Sequence, residues 1–202
     1  MPAKIKVLNS EEGYNLAARR YDEMEGYLNS FEKENLFYLL KDVRDKKVLD
    51  IGAGTGRVSV MLKRNGAKVT ALDLSESMLS ILKKKEPAIE IVIGDAESLP
   101  FGDETFDVIV AAFVVVHLSE PRRFFEEAYR VLKDGGQLLI TNINQKEPPE
   151  VKTDQGKIKI ESYYHRPEEI KEKLEELAFS IKEEIIVKEK DVWINQIILA
   201  KK

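Results

Sequence analysis

Three glycines at alternate positions, Gly52, Gly54 and Gly56, constrain this chain more than any other stretch. Val48, Leu49, Asp50 and Ile51 lead into them, and Arg57-Val58-Ser59-Val60-Met61-Leu62 leads out with helical character. That order predicts strand, tight loop, helix. Glycine tolerates positive φ and carries no Cβ to hold another group off the main chain, so three of them imply a ligand lying against the backbone. The helix that follows points its free N–H groups at that ligand.

Spacing narrows the ligand. A dinucleotide fingerprint, G-x-G-x-x-G, counted from Gly52 would put its third glycine at Arg57, and the phosphate loop G-x-x-x-x-G-K-[ST] fails because no Lys-Ser or Lys-Thr follows. Asp50 would repel a pyrophosphate but suits a ligand carrying an ammonium and a sulfonium. The stretch Asp50 to Gly56 resembles the first motif of the class I S-adenosylmethionine-dependent methyltransferases. A second apolar strand, Val69 to Asp73, ends in a carboxylate roughly twenty residues beyond the glycines, where such folds place an acid on ribose hydroxyls.

Helices and strands alternate through the rest of the core. Ser75 caps a helix with Met78, Leu79 and Leu82 on one face. A strand over Ile89 to Ile93 then meets Gly94-Asp95-Ala96, and Asp95 can accept from an exocyclic amine. Phe106 to Ala112 has the continuous apolar character of a central parallel strand. Pro121 opens a helix that Gly135-Gly136 ends, and Gln137 to Thr141 returns as the fifth strand. Such units predict a doubly wound, mostly parallel α/β sheet of Rossmann-like type, with the ligand at the strands' C-terminal edge. Pro167 starts a last helix, and Ile181 to Val187 with Val192 to Leu199 reads as an antiparallel hairpin.

Two segments fall outside this rhythm. Residues 1–45 predict two or three helices broken at Gly13, Gly26 and Asn29-Ser30, covering the sheet or forming a lid over the ligand. Residues 143–166 hold Pro148-Pro149 and a short alternating strand, Lys157 to Ile160. A connection of that length is functional or mobile. The organisation read from the sequence is therefore one domain, 1–202: a helical cap (1–45), a cofactor-binding core (46–142), a substrate-side insertion (143–166) and a C-terminal helix with hairpin (167–202).

Composition removes several chemistries. With no Cys, the chain has no disulfide, Cys-ligated metal or thiolate nucleophile, and a reducing cytoplasm is the simplest location. A formal charge of −4 with both signs interleaved argues against a nucleic-acid partner. No run approaches the ~20 apolar residues needed to span a bilayer, and Met1 to Lys6 lacks a signal core. Charge dominated by Lys and Glu is a bias seen in proteins from hot environments.

The resemblance extends from Val48 to Ile140 and is most specific at Gly94-Asp95-Ala96-Glu97-Ser98-Leu99-Pro100-Phe101, then Phe106-Asp107, His117-Leu118, and Arg130-Val131-Leu132-Lys133 with Gly135-Gly136. These are similar to the ubiquinone/menaquinone-biosynthesis-like (methyltransferase type 11) branch. The family implies a seven-stranded sheet with its seventh strand antiparallel, and S-adenosylmethionine as cofactor. It sets Asp50, Gly52, Gly54 and Gly56 at the methionine end, Asp73 on the ribose, Leu74 and Met78 beside the adenine, Asp95 and Ala96 at its edge, and Ala112 near the sulfonium. Asp134 departs from the branch's usual proline, and His117 stands alone where many relatives have two histidines, on the substrate side.

The expected activity is methyl transfer to a small-molecule acceptor by in-line displacement, with no metal. Of the residues that titrate near neutrality only His117 and His165 are present, and His117 follows the fourth core strand. Candidate bases are His117 and Tyr21, the latter through the family's N-terminal Tyr-Asp pair. The alternatives are an RNA or protein methyltransferase, or a non-catalytic S-adenosylmethionine-binding partner subunit. A homodimer is one assembly open to the chain.

Overall fold

Apolar runs that are buried over most of their length mark the centre of the molecule: β2 (Lys47–Ile51), β3 (Lys68–Asp73), β5 (Phe106–Ala111) and β6 (Leu132–Ile143). They are hidden on both faces because helices cover both, as parallel strands joined by crossovers require. In the computed structural model, which describes residues 5–32, 34–40 and 42–202, they join β4 (Glu90–Ile93), β9 (Ser180–Glu189) and β10 (Val192–Lys201) in one seven-stranded sheet. Its order is β4-β3-β2-β5-β6-β10-β9. Neighbours from β4 to β6 pair parallel, while β10 runs antiparallel to β6 and β9, so the expected Rossmann-like sheet and terminal hairpin are present. Met1–Lys4 of the expected cap, Lys33 and Lys41 lie outside the described residues.

Alternate side chains of each strand serve opposite layers. Leu49, Ile51, Ile109 and Ile140 pack with Phe124 and Phe125 of α6 (Arg122–Val131) and with Ile170 and Leu174 of α7 (Pro167–Glu176). Val48, Val69, Val108 and Leu139 pack with Val58 and Leu62 of α4 (Arg57–Arg64) and with Leu79 and Leu82 of α5 (Glu76–Lys85). From β2 the chain winds one way to β3 and β4 and then crosses back to β5 on the other side of β2. The crevice at the C-terminal ends of β2 and β5 is the topological switch point, where folds of this kind bind ligands.

Over that edge lie α1 (Ser10–Tyr21), a 3₁₀ turn at Asp22–Met24 and α2 (Glu25–Glu32), while α3 (Asn35–Leu39) packs with the layer of Val48, Val108 and Leu139. The breaks expected at Gly13, Gly26 and Asn29-Ser30 do not occur: α1 runs through the first and α2 through the others. At Gly13 the missing side chain serves packing, since a Cβ there would sit 2.8 Å from Ile160 Cγ1. A second sheet of β1 (Val7–Leu8), β8 (Gly156–Ile160) and β7 (Glu150–Thr153) backs α1. Only the β8 segment was expected. Asn15 pins α1 to the start of α5, its side-chain oxygen accepting from Ser75 Oγ (2.8 Å) and Ser77 N (3.1 Å).

Another difference concerns Gly135-Gly136. The helix stops at Val131, and Leu132 already belongs to β6, pairing with Phe106 before a register shift. Asp107 holds the junction, accepting from Lys133 Nζ at 2.7 Å and from the backbone of Lys47 at 2.8 Å. No helix among the described residues is long and apolar enough to cross a membrane.

Candidate active site

The glycine loop is shaped by what stands behind it. At Gly52 (φ 65°) a Cβ would fall 2.4 Å from Val114 Cγ2, and at Gly56 (φ 95°) it would fall 2.2 Å from Leu82 Cδ1. Gly54 differs: the nearest atom to a Cβ there is Tyr21 Cε1 at 3.9 Å, across open space. The loop is fastened to β3, with Ala53 N donating to Leu72 O (3.0 Å) and Gly54 N to Asp73 Oδ2 (2.8 Å). The other Asp73 oxygen accepts from Ser75 N at 2.8 Å, so one carboxylate ties the loop to the start of α5. Burial raises its pKa, and these backbone donors oppose the shift.

A cleft opens here, ≈ 730 Å³ of empty space counting its solvent-open mouth. Its wall includes Gly52 and Gly54 from the loop, Asp73, Leu74 and Met78 from the β3–α5 turn, Asp95 and Ala96 after β4, and Ala112 after β5. Tyr21 and His117 line it as well. Asp95 is oriented by accepting from Glu97 N at 2.9 Å. Asp50 and Gly56, set at the methionine end by the resemblance, instead stand behind the loop. Asp50 is 1% exposed and accepts from Ser59 Oγ at 2.5 Å; Gly56 lies against Leu82. Burial raises the Asp50 carboxyl to about 7, against the opposing pull of the Ser59 hydroxyl and the Arg57 guanidinium.

Several participants were not singled out in the sequence. Arg57 makes a two-pronged pair with Glu32 (2.7 and 2.8 Å), donates to Asn29 Oδ1 (2.9 Å), and lies over the rings of Phe37 and Phe113. The first residue of α4 therefore fastens α2 across the site. Phe113 has φ 62°, an uncommon conformation for an aromatic residue, and its N–H donates to Thr141 Oγ1 at 2.8 Å. Tyr14 lies on the same face of α1 as Tyr21, seven residues or two turns away, which is the one sequence signal that could have paired them. Their rings meet edge to face at 5.7 Å.

His117 is held at both nitrogens. Nδ1 lies 2.8 Å from the carbonyl of Glu161, which can only accept, so Nδ1 carries the hydrogen. Nε2 then accepts from the Tyr14 hydroxyl at 2.7 Å. Burial lowers the His117 pKa, so the ring is a neutral imidazole at pH 7. His165, the other histidine, is 6% exposed and donates from Nε2 to Leu118 O at 2.8 Å, a structural role.

Beyond Tyr14, Tyr21, Phe113 and His117 lies a second hollow walled by Met24, Tyr27, Leu28, Phe31, Val116, Ile143 and Val151, with Gln145 and Glu150 at its polar side. The four residues are common to both spaces, so the hollow adjoins the cleft across them.

Residues 49–140 match the methyltransferase-domain family. This stretch is a class I S-adenosylmethionine-dependent methyltransferase domain. The chain is 40% identical over 128 residues to the demethylmenaquinone methyltransferase of Thermotoga maritima, covering 62% of this chain and 55% of that one. It is 36% identical over 131 residues to that of Paenarthrobacter aurescens, covering 63% and 52%. The chain thus spans about half the length of the curated relatives it matches, which place the domain in the ubiquinone/menaquinone-biosynthesis-like branch. In fold it is similar to an S-adenosylmethionine-dependent methyltransferase from Mesorhizobium loti, with TM-score 0.74 and 17% identity over 87% of this chain and 100% of that one.

The methyltransferase domain's cofactor is S-adenosylmethionine, and the cleft fits it. Leu74 is an apolar side chain left 39% exposed on the wall, a surface that an adenine ring would cover. Each Asp73 oxygen accepts one backbone N–H and keeps a further lone pair for a ribose hydroxyl. Asp50 and Asp73 are both made reluctant to ionise by burial, and a cationic ligand nearby favours their charged forms.

Proposed function

We propose that this protein transfers a methyl group to a small, flat, largely apolar acceptor of quinol type. The observation that carries the reading is the aromatic hollow beside the cofactor cleft, with Tyr14, Tyr21, Phe113 and His117 lining both. In this reading Asp73, Leu74, Met78, Asp95, Ala96 and Ala112 hold the cofactor along the cleft, Gly52 and Gly54 let it approach the backbone, and Asp50 and Gly56 shape the loop from behind. When bound, S-adenosylmethionine supplies a methyl group already activated by its sulfonium. The protein's work is then alignment in a dry site, which can contribute up to about 7 to 11 kcal/mol. Phe113, Phe31 and Tyr27 form an edge-to-face chain, 6.1 and 5.0 Å between successive centroids, that gives a planar guest a rigid wall.

An acceptor that must lose a proton needs a base, worth a factor of roughly 10² to 10⁴. His117 takes that role as a neutral imidazole. Tyr21, its hydroxyl pushed up to about 12 by burial, keeps its proton and serves as a donor or wall. Incubation with tritiated methyl donor and either metabolite extracts or a reduced demethylmenaquinone tests the reading. Label passing into an organic-extractable product supports it. Tight cofactor binding with label no higher than in a protein-free blank would assign the chain to the non-catalytic alternative.

A further inference from the structure

We propose that Tyr14 is the residue that takes the acceptor's proton, passing its own to His117, so that Tyr14, His117 and the Glu161 carbonyl act as one relay. This rests on the methyl-transfer reading and goes beyond it in the role of Tyr14, which none of the motifs contains. The geometry leaves His117 little choice. Its Nδ1–H is committed to Glu161 O at 2.8 Å, and the single lone pair of Nε2 already receives the Tyr14 O–H at 2.7 Å. A hydroxyl entering the hollow therefore meets the Tyr14 oxygen as the acceptor through which His117 is reached.

The surroundings favour a relay over a tyrosinate base. Tyr14 is partly buried on the wall of the cleft, and this enclosure holds its hydroxyl well above the usual tyrosine range, with Tyr21 and the Asp73 carboxylate adding to the effect. A group so reluctant to lose a proton outright can still exchange one for another. Its ring is fixed edge-on by Tyr21 at 5.7 Å and by His117 at 5.3 Å, so the hydroxyl is aimed before any acceptor arrives.

The step balances without a further reactant. The acceptor O–H bond breaks and its proton binds Tyr14 Oη, while the Tyr14 O–H bond breaks and that proton binds His117 Nε2. The electron pair left on the acceptor forms its bond to the methyl group, and the pair of the broken sulfur–methyl bond stays on sulfur. One positive charge is lost at sulfur and one appears on His117, whose Nδ1–H still donates to Glu161; the imidazolium returns its proton to solvent when product leaves.

The chain has only two histidines, so imidazole NMR of histidine-labelled protein reads His117 directly, with His117→Gln assigning it. The probes are S-adenosylhomocysteine and 4-nitrophenol, at a pH below the free phenol's own pKa. We expect saturating 4-nitrophenol to bind as its yellow anion and to convert His117 to imidazolium. In Tyr14→Phe the phenol should bind within about threefold as tightly, stay colourless and leave His117 neutral. Equal protonation of His117 in Tyr14→Phe, an unchanged His117 in wild type, or no saturable binding of the phenol to the S-adenosylhomocysteine-loaded protein would each overturn the relay. With a productive acceptor, Tyr14→Phe and His117→Gln should each lower kcat by roughly 10² to 10⁴, and the double variant should be no slower than either. Multiplied losses would mean separate roles. Protonation through Tyr14 with no labelled product from any acceptor would leave the relay standing and remove the methyl-transfer reading.

Discussion

Replacing Asp50 by asparagine isolates one buried carboxyl whose contribution to stability has a defined sign and window. Asp50 is 1% exposed beneath the glycine loop and bonds to Ser59 Oγ, and burial raises it from 3.8 to about 7. Between those values the folded protein holds a proton that the unfolded chain has released, so the contribution of Asp50 to stability is fully present below 3.8 and is lost as pH rises to about 7. Three units at ~1.4 kcal/mol each amount to about 4 kcal/mol. Asp50→Asn has no proton to lose there. Its own cost, an amide hydrogen in place of a hydroxyl beside Ser59, is about 1 to 3 kcal/mol and does not change with pH. Urea unfolding of both proteins from about pH 4 to about pH 8 should show the variant gaining about 4 kcal/mol relative to wild type up that range. Asp73, raised in the same direction, is common to both proteins and cancels in the difference. A difference constant to within about 1 kcal/mol would mean that Asp50 is ionised in the folded protein throughout, and the argument from burial would fail.

Other outcomes follow from the same contacts. Glu32→Ala should cost about 3 to 5 kcal/mol in chemical denaturation, because it strands Arg57 with its guanidinium mostly buried; a loss under about 1 kcal/mol would mean the pair is solvated in solution. Gly52→Ala must place a methyl 2.4 Å from Val114 at φ 65°, and strain plus overpacking of about 2 to 5 kcal/mol should either unfold the loop or abolish cofactor binding, so a stable variant with normal affinity would contradict the loop geometry. Cofactor should slow amide exchange in α1 and in β7–β8 as well as in the glycine loop, and protection confined to Gly52–Gly56 would show that the cap is not a lid.

The core was legible because its signals are local. Continuous apolar runs mark strands buried on both faces, and an acid or glycines at each strand end mark the ligand edge, so β2 to β6 and most of the cleft wall follow from the sequence. What escaped depends on distant partners. Val7 pairs with Lys159 across most of the chain, which no local pattern announces, and Gly13 reads as a helix breaker until Ile160 is found against it. Tyr14 and His117 are separated by 103 positions, so their hydrogen bond is invisible in either segment alone. The parity of β2 explains Asp50: strand side chains alternate between faces, and this one turns to Ser59 on α4 and away from the cleft.

The central claim is that the cleft above the glycine loop is built for a sulfonium cofactor, and calorimetric titration of the purified protein tests it most directly. The account predicts saturable heat with S-adenosylmethionine and with S-adenosylhomocysteine, none with NAD, and at least tenfold weaker binding in a folded Asp73→Ala variant, because two carboxylate-to-hydroxyl bonds at about 1.5 to 3 kcal/mol each are lost. No heat with either sulfur ligand, or equal affinity for NAD, would contradict it.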